Sequence, residues 1–401
     1  MARAQAADQG TPASASEGDA TRLEEIVVSA SKRADETLKE APGGMTALTG
    51  KTLDNLGVVD FQDYLPYVPG LSAAAAQTGT PGSYNVILRG LNTGSSQSTA
   101  TVGYYLDDTP LTPSSSNSTA GTHAPDPALG DIERIEVLKG PQATLYGAST
   151  LGGIIKIVSK KPELTTFSAD ASVSGVTVDD GGSGYSARGA VNIPLIQNTL
   201  AARLSAYDRE DPGFTDNVFT GQNNVNLDHA YGGQLSLRYK PTQQLTFDLT
   251  GLIQHLYSPG NTQEWLDPQT LRPIYGYDKD FQFFNDTTAT QLSLVDLSAN
   301  YDTAWGTLTN SLGYAFYYSS NVGYTLTPEF APIFRRFRLT SPPTGVATPT
   351  FQNSHKLTDE LRFTSIRMNH FLWQAGLFYT HEKVGKTNIG EAFNYPNPVP
   401  L

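Results

Sequence analysis

Residues 131–162, DIERIEVLKGPQATLYGASTLGGIIKIVSKKP, decide how the whole chain is interpreted. Residues 132–138 and 153–158 are rich in β-branched and other apolar side chains, which predicts two strands. The segment between them is rich in Gly, Pro, Ser and Thr. Gly140 and Pro141 end the first strand, because proline has no N–H to donate and glycine accepts unusual dihedral angles. The stretch therefore predicts a strand, a compact excursion and a second strand.

The order of residues in this stretch resembles the end of the plug domain of TonB-dependent outer-membrane receptors. The residues that carry the resemblance are Arg134, Glu136, Val137, Lys139, Gly140, Pro141, Leu145, Tyr146, Gly147, Gly152 and Gly153, followed by Lys160, Lys161 and Pro162. Without the resemblance, these residues would describe a hairpin of a small mixed domain. The resemblance is therefore convincing only if further segments of the family's plug precede this stretch in the same order.

Two short helices are predicted upstream. Thr49 or Thr52 can cap a helix that runs to Leu56, because a threonine hydroxyl accepts from the free N–H groups of the first turn. A second helical turn at residues 59–65 is expected to be stopped by Pro66 and Pro69. This order of strand, helix and helix is similar to the start of the family's plug.

Strands and turns fill the rest of this region. Residues 73–76 are expected to lie in a loop, and residues 86–90 to form a strand ending in Arg89 and Gly90, which corresponds to the family's apolar-Arg-Gly signature. Residues 102–106 predict a further strand.

The turn after that strand begins with Asp107 and Asp108. It corresponds to an aspartate-containing turn of the family, in which most members have glycine after the first aspartate. Asp108 occupies that position here, so a dihedral open only to glycine is not expected at it. His123 lies in the following loop, and a single loop histidine is more often solvated than a ligand.

An N-terminal β-prone run, LEEIVVSA at residues 23–30, resembles the TonB box of the family. The resemblance implies that Glu25, Ile26, Val27, Val28 and Ser29 bind a TonB-type energy-coupling protein, since an extended segment can add to the edge of a partner's sheet. The alternative is that this run is simply the first strand of the plug. Residues 1–22 are small and polar and are expected to be disordered. Ala4, Gln5 and Ala6 fit either the tail of a signal peptide or an ordinary N-terminus.

The residue pattern changes after residue 164. Nine segments of about ten residues alternate apolar and polar side chains, at 167–178, 185–194, 199–208, 231–239, 245–256, 291–301, 308–318, 356–366 and 371–380. Leu235, Leu237 and Tyr239 share one face, for example. Alternation with aromatic residues near the strand ends is typical of a transmembrane β-barrel, although a soluble β-sandwich has the same period of two. The linkers at 209–230, 257–290 and 319–355 are long, and the others are short, which also favours a barrel.

Composition excludes several classes of function. The chain has 401 residues, a net charge of −12 and no cysteine, so we expect no nucleic-acid partner and no thiolate metal site. The six histidines never occur at metal-ligand spacing, and no phosphate loop or nucleophile motif is present. We therefore predict no catalytic residues, no metal, no cofactor and no enzymatic activity. Aromatic residues of the long loops (Trp265, Tyr275, Tyr277, Phe281, Phe283 and Phe284) could contact a ligand or pack within the loops.

The predicted fold class is an α+β plug followed by an antiparallel transmembrane β-barrel that is incomplete in this chain. The expected divisions are a disordered N-terminus at 1–22, the TonB box and a linker at 23–40, the plug at 41–163 and a partial barrel at 164–401. Because only about 22 strands enclose a folded plug, nine strands predict that roughly 330 residues are absent.

The resemblance implies a function in active uptake. The expected ligand is a small molecule, most of all a ferric siderophore or similar iron chelate, and the expected place is the outer membrane of a Gram-negative bacterium, in contact with its lipid and with the plug facing the periplasm. The plug residues singled out are Arg89, Gly90, Asp107, Arg134, Glu136, Lys139, Gly140, Pro141, Gly147, Gly152 and Gly153. Two alternatives stay open, a surface β-sandwich that binds cells or carbohydrate, and a receptor remnant without activity.

Overall fold

The computed structural model of the protein describes residues 27–33, 36–38, 44–75, 84–93, 100–114, 131–260, 262–282, 286–326, 345–366 and 371–393. In the N-terminal part the elements are β1 (Val27–Val28), β2 (Glu36–Thr37), β3 (Gly44–Thr49), α1 (Gly50–Leu56), α2 (Phe61–Tyr64), a 3-10 turn (Leu65–Tyr67), β4 (Leu71–Ala75), β5 (Tyr84–Leu88), β6 (Val102–Leu106), β7 (Thr109–Pro110), β8 (Ile132–Lys139), α3 (Ala143–Tyr146) and β9 (Gly153–Ser159).

The later part is all β. Its strands are β10 (Ser168–Thr177), β11 (Ser183–Ile196), β12 (Leu200–Asp211), β13 (Asp216–Asn217), β14 (Asp228–Tyr239), β15 (Leu245–Ser258), β16 (Lys279–Asp280), β17 (Thr287–Thr303), β18 (Gly306–Leu326), β19 (Gly345–Ser365), β20 (Gln374–Asn388) and β21 (Glu391–Phe393).

A small mixed sheet organises the N-terminal part. Its strand order is β3-β8-β9-β6-β7, with β9 and β6 parallel and the other neighbours antiparallel. Thr49 caps the start of α1, because its hydroxyl accepts from the Thr52 N–H at 3.2 Å, so the predicted cap is confirmed at the first of the two candidates. Gly57 ends this helix in the left-handed conformation, with φ +69°.

Two details of this part differ from the sequence prediction. Pro66 does not stop the second helical turn, because it lies in the first turn of the 3-10 segment, where its missing N–H has no helical partner to lose. The expected loop at 73–76 is a strand as far as Ala75, since β4 pairs antiparallel with β5. The run of alanines there gave no β signal, and the pairing with the apolar β5 decides its conformation.

A large antiparallel sheet follows in the order β10-β11-β12-β14-β15-β17-β18-β19-β20, with β21 paired to β19. These nine strands lie where nine alternating segments were predicted. Four of them, β17 to β20, are longer than predicted, and the described residues of the linker expected at 319–355 are strand. Within the described residues β10 and β20 do not pair with each other, and the sheet is open.

The two faces of the large sheet differ in kind. Buried side chains on its inner face are mostly polar, and include Arg203, Gln234, Asp248, Asp296 and Ser354. Exposed side chains on alternate positions are apolar, as at Leu235, Val295, Leu312, Leu361 and Leu377. A soluble sandwich would have the opposite arrangement, so this sheet has its apolar face where a membrane barrel meets lipid. No helix in the described residues is long and apolar enough to cross a membrane.

The small sheet packs against the inner face of the large one. One hydrophobic cluster joins Phe61, Leu88 and Ile157 to Leu294 and Tyr317 of the large sheet. The Thr109 hydroxyl donates to the Asp296 carboxylate at 2.6 Å. Gly313 leaves room for this contact, because a Cβ there would lie 2.1 Å from the Thr109 oxygen. The N-terminal unit is therefore held inside the curve of the large sheet.

Candidate functional site

The N-terminal segment at residues 27–33 is docked against both sheets. Val28 and Ala30 are fully buried, and β1 pairs with β2. The Ser29 N–H donates to both carboxylate oxygens of Glu136, at 2.9 and 3.1 Å. Of the predicted TonB-box residues, the structure thus places Val27, Val28 and Ser29, whereas Glu25 and Ile26 lie outside the described residues.

Glu136 is the centre of the contact with the small sheet. It is fully buried on β8, and the Arg134 Nε donates to it at 2.7 Å. The Arg134 guanidinium also pairs with Glu133 and lies 3.4 Å from the Ser29 hydroxyl. A buried carboxylate is stable only when its charge is compensated, so Glu136 needs Arg134 and the Ser29 N–H together.

A second set of contacts joins the segment to the large sheet. The Lys32 ammonium pairs with Glu360 of β19 at 2.5 Å and lies 4.8 Å from the centre of the Tyr146 ring. The Gln374 amide of β20 donates to the Lys32 carbonyl at 3.4 Å. Burial lowers the pKa of Lys32, although the neighbouring Glu360 and Asp108 counteract this. The Tyr146 hydroxyl adds a bond of 2.6 Å to the Ala30 carbonyl.

These contacts continue into a chain of alternating charges. Glu360 accepts from Arg362 at 2.7 Å, Arg362 lies 3.3 Å from Asp108, and Asp108 accepts from Lys156 of β9 at 2.8 Å. Burial alone would raise the pKa of Asp108, but Lys156, Arg362 and Lys32 together hold it well below its usual range. The N-terminal segment, the small sheet and β19 are therefore connected by one electrostatic network. A cavity of about 400 Å³ lies beside it, between Tyr146 and β20.

Asp107 lies beside this network and accepts hydrogen bonds from residues at the end of β9 and just after it. Its carboxylate accepts from the Ser159 N–H at 3.0 Å, the Ser159 hydroxyl at 2.6 Å and the Lys161 ammonium at 2.7 Å. Burial opposes protonation of Lys161, yet Asp107 raises its pKa overall. The left-handed residue of this turn is Asp107 itself, with φ 51°, and not Asp108. Aspartate tolerates this conformation better than most residues, so the turn does not need the family's glycine.

Arg89, which follows β5, lies close to Lys139 at the end of β8. Arg89 and Gly90 both have positive φ, 54° and 75°, and form a tight turn in which the Leu91 N–H donates to the Leu88 carbonyl. The Arg89 guanidinium lies near Gly44 and Gly140, where a Cβ would approach it to 2.7 and 3.3 Å. Burial and the charge of Arg89 lower the pKa of Lys139.

The remaining predicted glycines shape the excursion between β8 and β9. Strand β8 ends at Lys139, directly before Gly140 and Pro141. Gly147 ends α3 with φ 70°, and Gly152 donates to the Thr101 carbonyl at 2.8 Å. Gly153 has φ 144°, and a Cβ there would lie 2.0 Å from the Leu138 carbonyl oxygen, so no other residue fits without a backbone shift.

The long loops at the other end of the large sheet have a small core of their own. Strands β13 and β16 pair, and Phe281 packs on Phe219 and Tyr275 with ring centres 5.2 Å apart in both cases. Asp280 is fully buried and accepts from the Trp265 indole at 3.0 Å, and burial raises its pKa to about 6. Tyr277 is 75% exposed, whereas His123, Phe283 and Phe284 lie outside the described residues.

Several residues of the charge network were not expected from the sequence. They are Lys32, Asp108 as an ion-pair partner, Tyr146 as a hydrogen-bond donor, Glu360 and Arg362. Lys32 and Glu360 are 328 positions apart, so no local pattern could pair them. The only signal was that Glu360 and Arg362 are charged residues at inward positions of a strand, where the packing of another element against the sheet must compensate them.

The TonB-dependent receptor plug domain family matches residues 37–154. Residues 37–154 therefore form a TonB-dependent receptor plug domain. The chain is 29% identical over 220 residues to the pesticin receptor of Yersinia pestis, covering 55% of this chain and 30% of that protein. It is 27% identical over 238 residues to the iron-regulated outer membrane virulence protein of Vibrio cholerae, covering 59% of this chain and 35% of that protein.

Solved structures share the fold. The ferric yersiniabactin uptake receptor FyuA from Yersinia pestis matches with a TM-score of 0.69 and 19% identity, over 87% of this chain and 50% of that chain. The unliganded ferric citrate transporter FecA matches with a TM-score of 0.68 and 16% identity, over 89% of this chain and 50% of that chain. The receptor thus spans about half the length of these structures and about a third of the curated relatives.

The comparisons identify the two sheets. The small sheet with its helices is the plug, and the large sheet is the part of the barrel present in this chain.

Proposed function

We propose that this receptor takes up a scarce iron chelate, such as a ferric siderophore, across the outer membrane, driven by a TonB-type energy-coupling protein. The coupling protein binds Glu25 to Ser29, the ligand binds from the outside, and the plug closes the lumen until it is pulled. The proposal rests on the hydrogen bonds from Ser29 to Glu136, which connect the proposed TonB box directly to a plug strand.

The relatives support the class of ligand. Besides the receptors and transporters described above, they include a protein named ferrioxamine B receptor from Salmonella typhimurium, which is 27% identical over 254 residues. A vitamin B12 transporter from Vibrio vulnificus is also similar, at 28% over 158 residues, so a corrinoid is the second class to test.

The contacts suggest how force enters the plug. A pull on the segment first loads the bonds from Ser29 to Glu136 and from Lys32 to Glu360. Glu136 lies in β8, which pairs with both β3 and β9, so displacement of this residue disturbs the middle of the plug sheet. Lys32 is connected through Glu360 and Arg362 to Asp108, so its release also removes compensation from the turn beside β9.

Deletion of residues 26–29 tests the proposed TonB box. We expect uptake of the radiolabelled chelate by cells to stop, because the coupling protein loses its extended segment, while equilibrium binding of the chelate to the same cells is unchanged. Deletion of residues 12–15 is the matched control and should leave both readouts intact. Normal uptake after deletion of residues 26–29 would refute the proposed TonB box.

The substrate class needs its own experiment. Cells that express the receptor are offered hydroxamate, catecholate and citrate complexes of iron, each as the sole source of iron, or cobalamin as the sole source of corrinoid. Growth on one or more iron complexes supports the proposal. Growth on cobalamin alone would move the receptor to the corrinoid class, and growth on none of them would reject uptake of these ligands.

A further inference from the structure

Arg209 is a buried cation at the contact between the plug and the large sheet. It lies on the inner face near the end of β12, and its side chain is only 3% exposed. The Arg209 Nη1 donates to the Val59 carbonyl, two residues before α2, at 2.8 Å. A guanidinium of the sheet therefore contacts the start of a plug helix directly.

Four carboxylates lie at this contact. Asp211 of β12 is 3.0 Å from the Arg209 Nε, Asp228 of β14 is 3.7 Å from its Nη2, and Asp60 is 4.0 Å from its Nη1. Asp60 caps α2 and adjoins Asp63, because the carboxylate of each accepts from the N–H of the other, at 3.0 and 3.3 Å. These four acids and Arg209 are called here the Arg209 cluster.

The Arg209 cluster contains more acidic than basic groups. Among the described residues, Arg209 is the one basic side chain that pairs with any of these carboxylates. His229 follows Asp228 in β14, but its ring is on the outward face, with Nε2 3.1 Å from Asp208. The Asp228 Oδ1 is buried and has no hydrogen-bond partner within the described residues. Full ionisation of all four acids would thus leave buried negative charge without compensation.

The Arg209 cluster lies beyond the apolar part of the strands. On the outward face of β12, Leu204 and Ala206 are followed by the charged residues Asp208 and Glu210. The acids of the cluster are the last residue of β12 and the first residue of β14. The Asp211 side chain is 34% exposed, so protons can reach the cluster from solvent.

The acids of the Arg209 cluster titrate at unusually high pH. Burial raises the pKa of Asp211 to about 6 and that of Asp228 to about 7, although the charge of Arg209 acts in the opposite direction. Burial and the charge of Asp63 also raise the pKa of Asp60. An acid with a raised folded-state pKa contributes stability that is fully present below its ordinary pKa of about 4 and is lost as the pH rises through the raised value. Most of this loss therefore falls between about pH 5 and about pH 8.

We propose that the Arg209 cluster is a pH-dependent contact between plug and sheet, which holds α2 against β12 and β14 in acid and weakens as its carboxyl groups ionise. In acid, neutral carboxyl groups do not repel one another, and one that stays ionised compensates Arg209. At higher pH two negative charges on the plug face two on the strands, and like charges at short distance in a buried site repel. The contact loosens from the plug side, at α2, whether or not a ligand is bound.

Amide hydrogen exchange of the purified receptor in detergent, corrected for intrinsic rates, tests this. Between about pH 5 and about pH 8 we expect the opening of residues 59–65 to become at least about tenfold more frequent, because a shift of one pKa unit already corresponds to a factor of ten. Residues 50–56 of α1 should show no comparable change, since the acid of that helix, Asp54, is in an exposed ion pair with Arg188.

The variant with Asp211→Asn and Asp228→Asn removes two acids of the cluster and leaves Asp60 to compensate Arg209. We expect this variant to lose the pH response and to keep residues 59–65 protected at both pH values. Asp208→Asn is the matched control, because it removes an acid from the outward face of the same strand. It should respond to pH like the unmodified receptor.

Three results would overturn the proposal. They are equal exchange of residues 59–65 at the two pH values, an equal response of residues 50–56, and a loss of the response in Asp208→Asn. The first two need only the unmodified receptor, so the test stands even if the double variant does not fold.

Discussion

The plug and the barrel sheet bury opposite kinds of side chain. Every residue of β9 in the plug is buried, and most of them are apolar, whereas all but one of the residues of β10 in the sheet are exposed. The plug is thus stabilised like a soluble domain, by the transfer of apolar groups out of water. The sheet buries polar side chains on its inner face, towards the plug, and exposes apolar ones on its outer face. One hydrophobic cluster and a network of ion pairs join the two regions.

The largest expected effect is in the plug. Gly153→Ala brings a Cβ to 2.0 Å from the Leu138 carbonyl oxygen at a φ of 144°, so the backbone of β8 or β9 must move. We expect a loss of about 3 kcal/mol or more in the free energy of opening of β8 and β9, measured by amide hydrogen exchange. Gly251→Ala in the sheet is the control, because a Cβ there meets nothing within 4 Å. Equal effects of the two changes would contradict the described packing.

The second effect tests the outer face of the sheet. Leu235 is 49% exposed near the middle of β14, and Leu195 is 55% exposed near the end of β11. We expect Leu235→Arg to cost about 2–4 kcal/mol of folding free energy in lipid vesicles, and Leu195→Arg only about 0–1 kcal/mol, because the cost depends on depth. Urea titration of vesicle-inserted protein measures both. A soluble sheet would tolerate the two changes alike.

Much of this contrast could be predicted from the sequence. The strand at 102–106, the Thr49 cap, the end of β8 before Gly140 and nine alternating strands all follow from local patterns. The full lengths of β18 and β19 did not, because Ser319, Ser320 and Asn353 look like loop residues until a neighbouring strand pairs with them. The Lys32–Glu360 pair was equally hidden, since it depends on how the plug sits in the sheet.

The third effect compares how two buried acids respond to pH. The folded-state pKa of Asp108 in the plug is lowered, so its contribution to stability is present above about pH 4 and is lost only as the pH falls further. The pKa of Asp280 in the loops is raised by burial to about 6, so its contribution is present below about pH 4 and is lost as the pH rises through about 6.

Between about pH 7 and pH 4.5 we therefore expect the loop strands β13 and β16 to gain about 2 kcal/mol of protection, while Asp108 itself contributes no change to the plug. Hydrogen exchange corrected for intrinsic rates provides the measurement. Asp280→Asn should abolish the gain. A parallel response of plug and loops would show that the two acids do not differ as described.

The smallest effect concerns the connection between the regions. Glu360→Gln removes the carboxylate that compensates Lys32 and Arg362. We expect exchange of residues 27–33 to accelerate about tenfold, which corresponds to about 1.4 kcal/mol. Asp54→Asn is the control, since the Asp54–Arg188 pair also joins plug to sheet but is largely exposed and should contribute less than about 1 kcal/mol. Unchanged exchange in Glu360→Gln would show that the Lys32–Glu360 pair does not hold residues 27–33 in place.

The central structural feature is the position of the plug against the inner face of the sheet. The chain has no cysteine, so a pair introduced at Thr109 and Asp296 provides the only thiols. Their side-chain oxygens are 2.6 Å apart, and Leu297 beside Asp296 points outward, 38% exposed. A short thiol-specific crosslinker applied to intact cells should join Thr109→Cys to Asp296→Cys and leave Thr109→Cys with Leu297→Cys unjoined. Failure of the first pair, or equal crosslinking of both, would contradict the account.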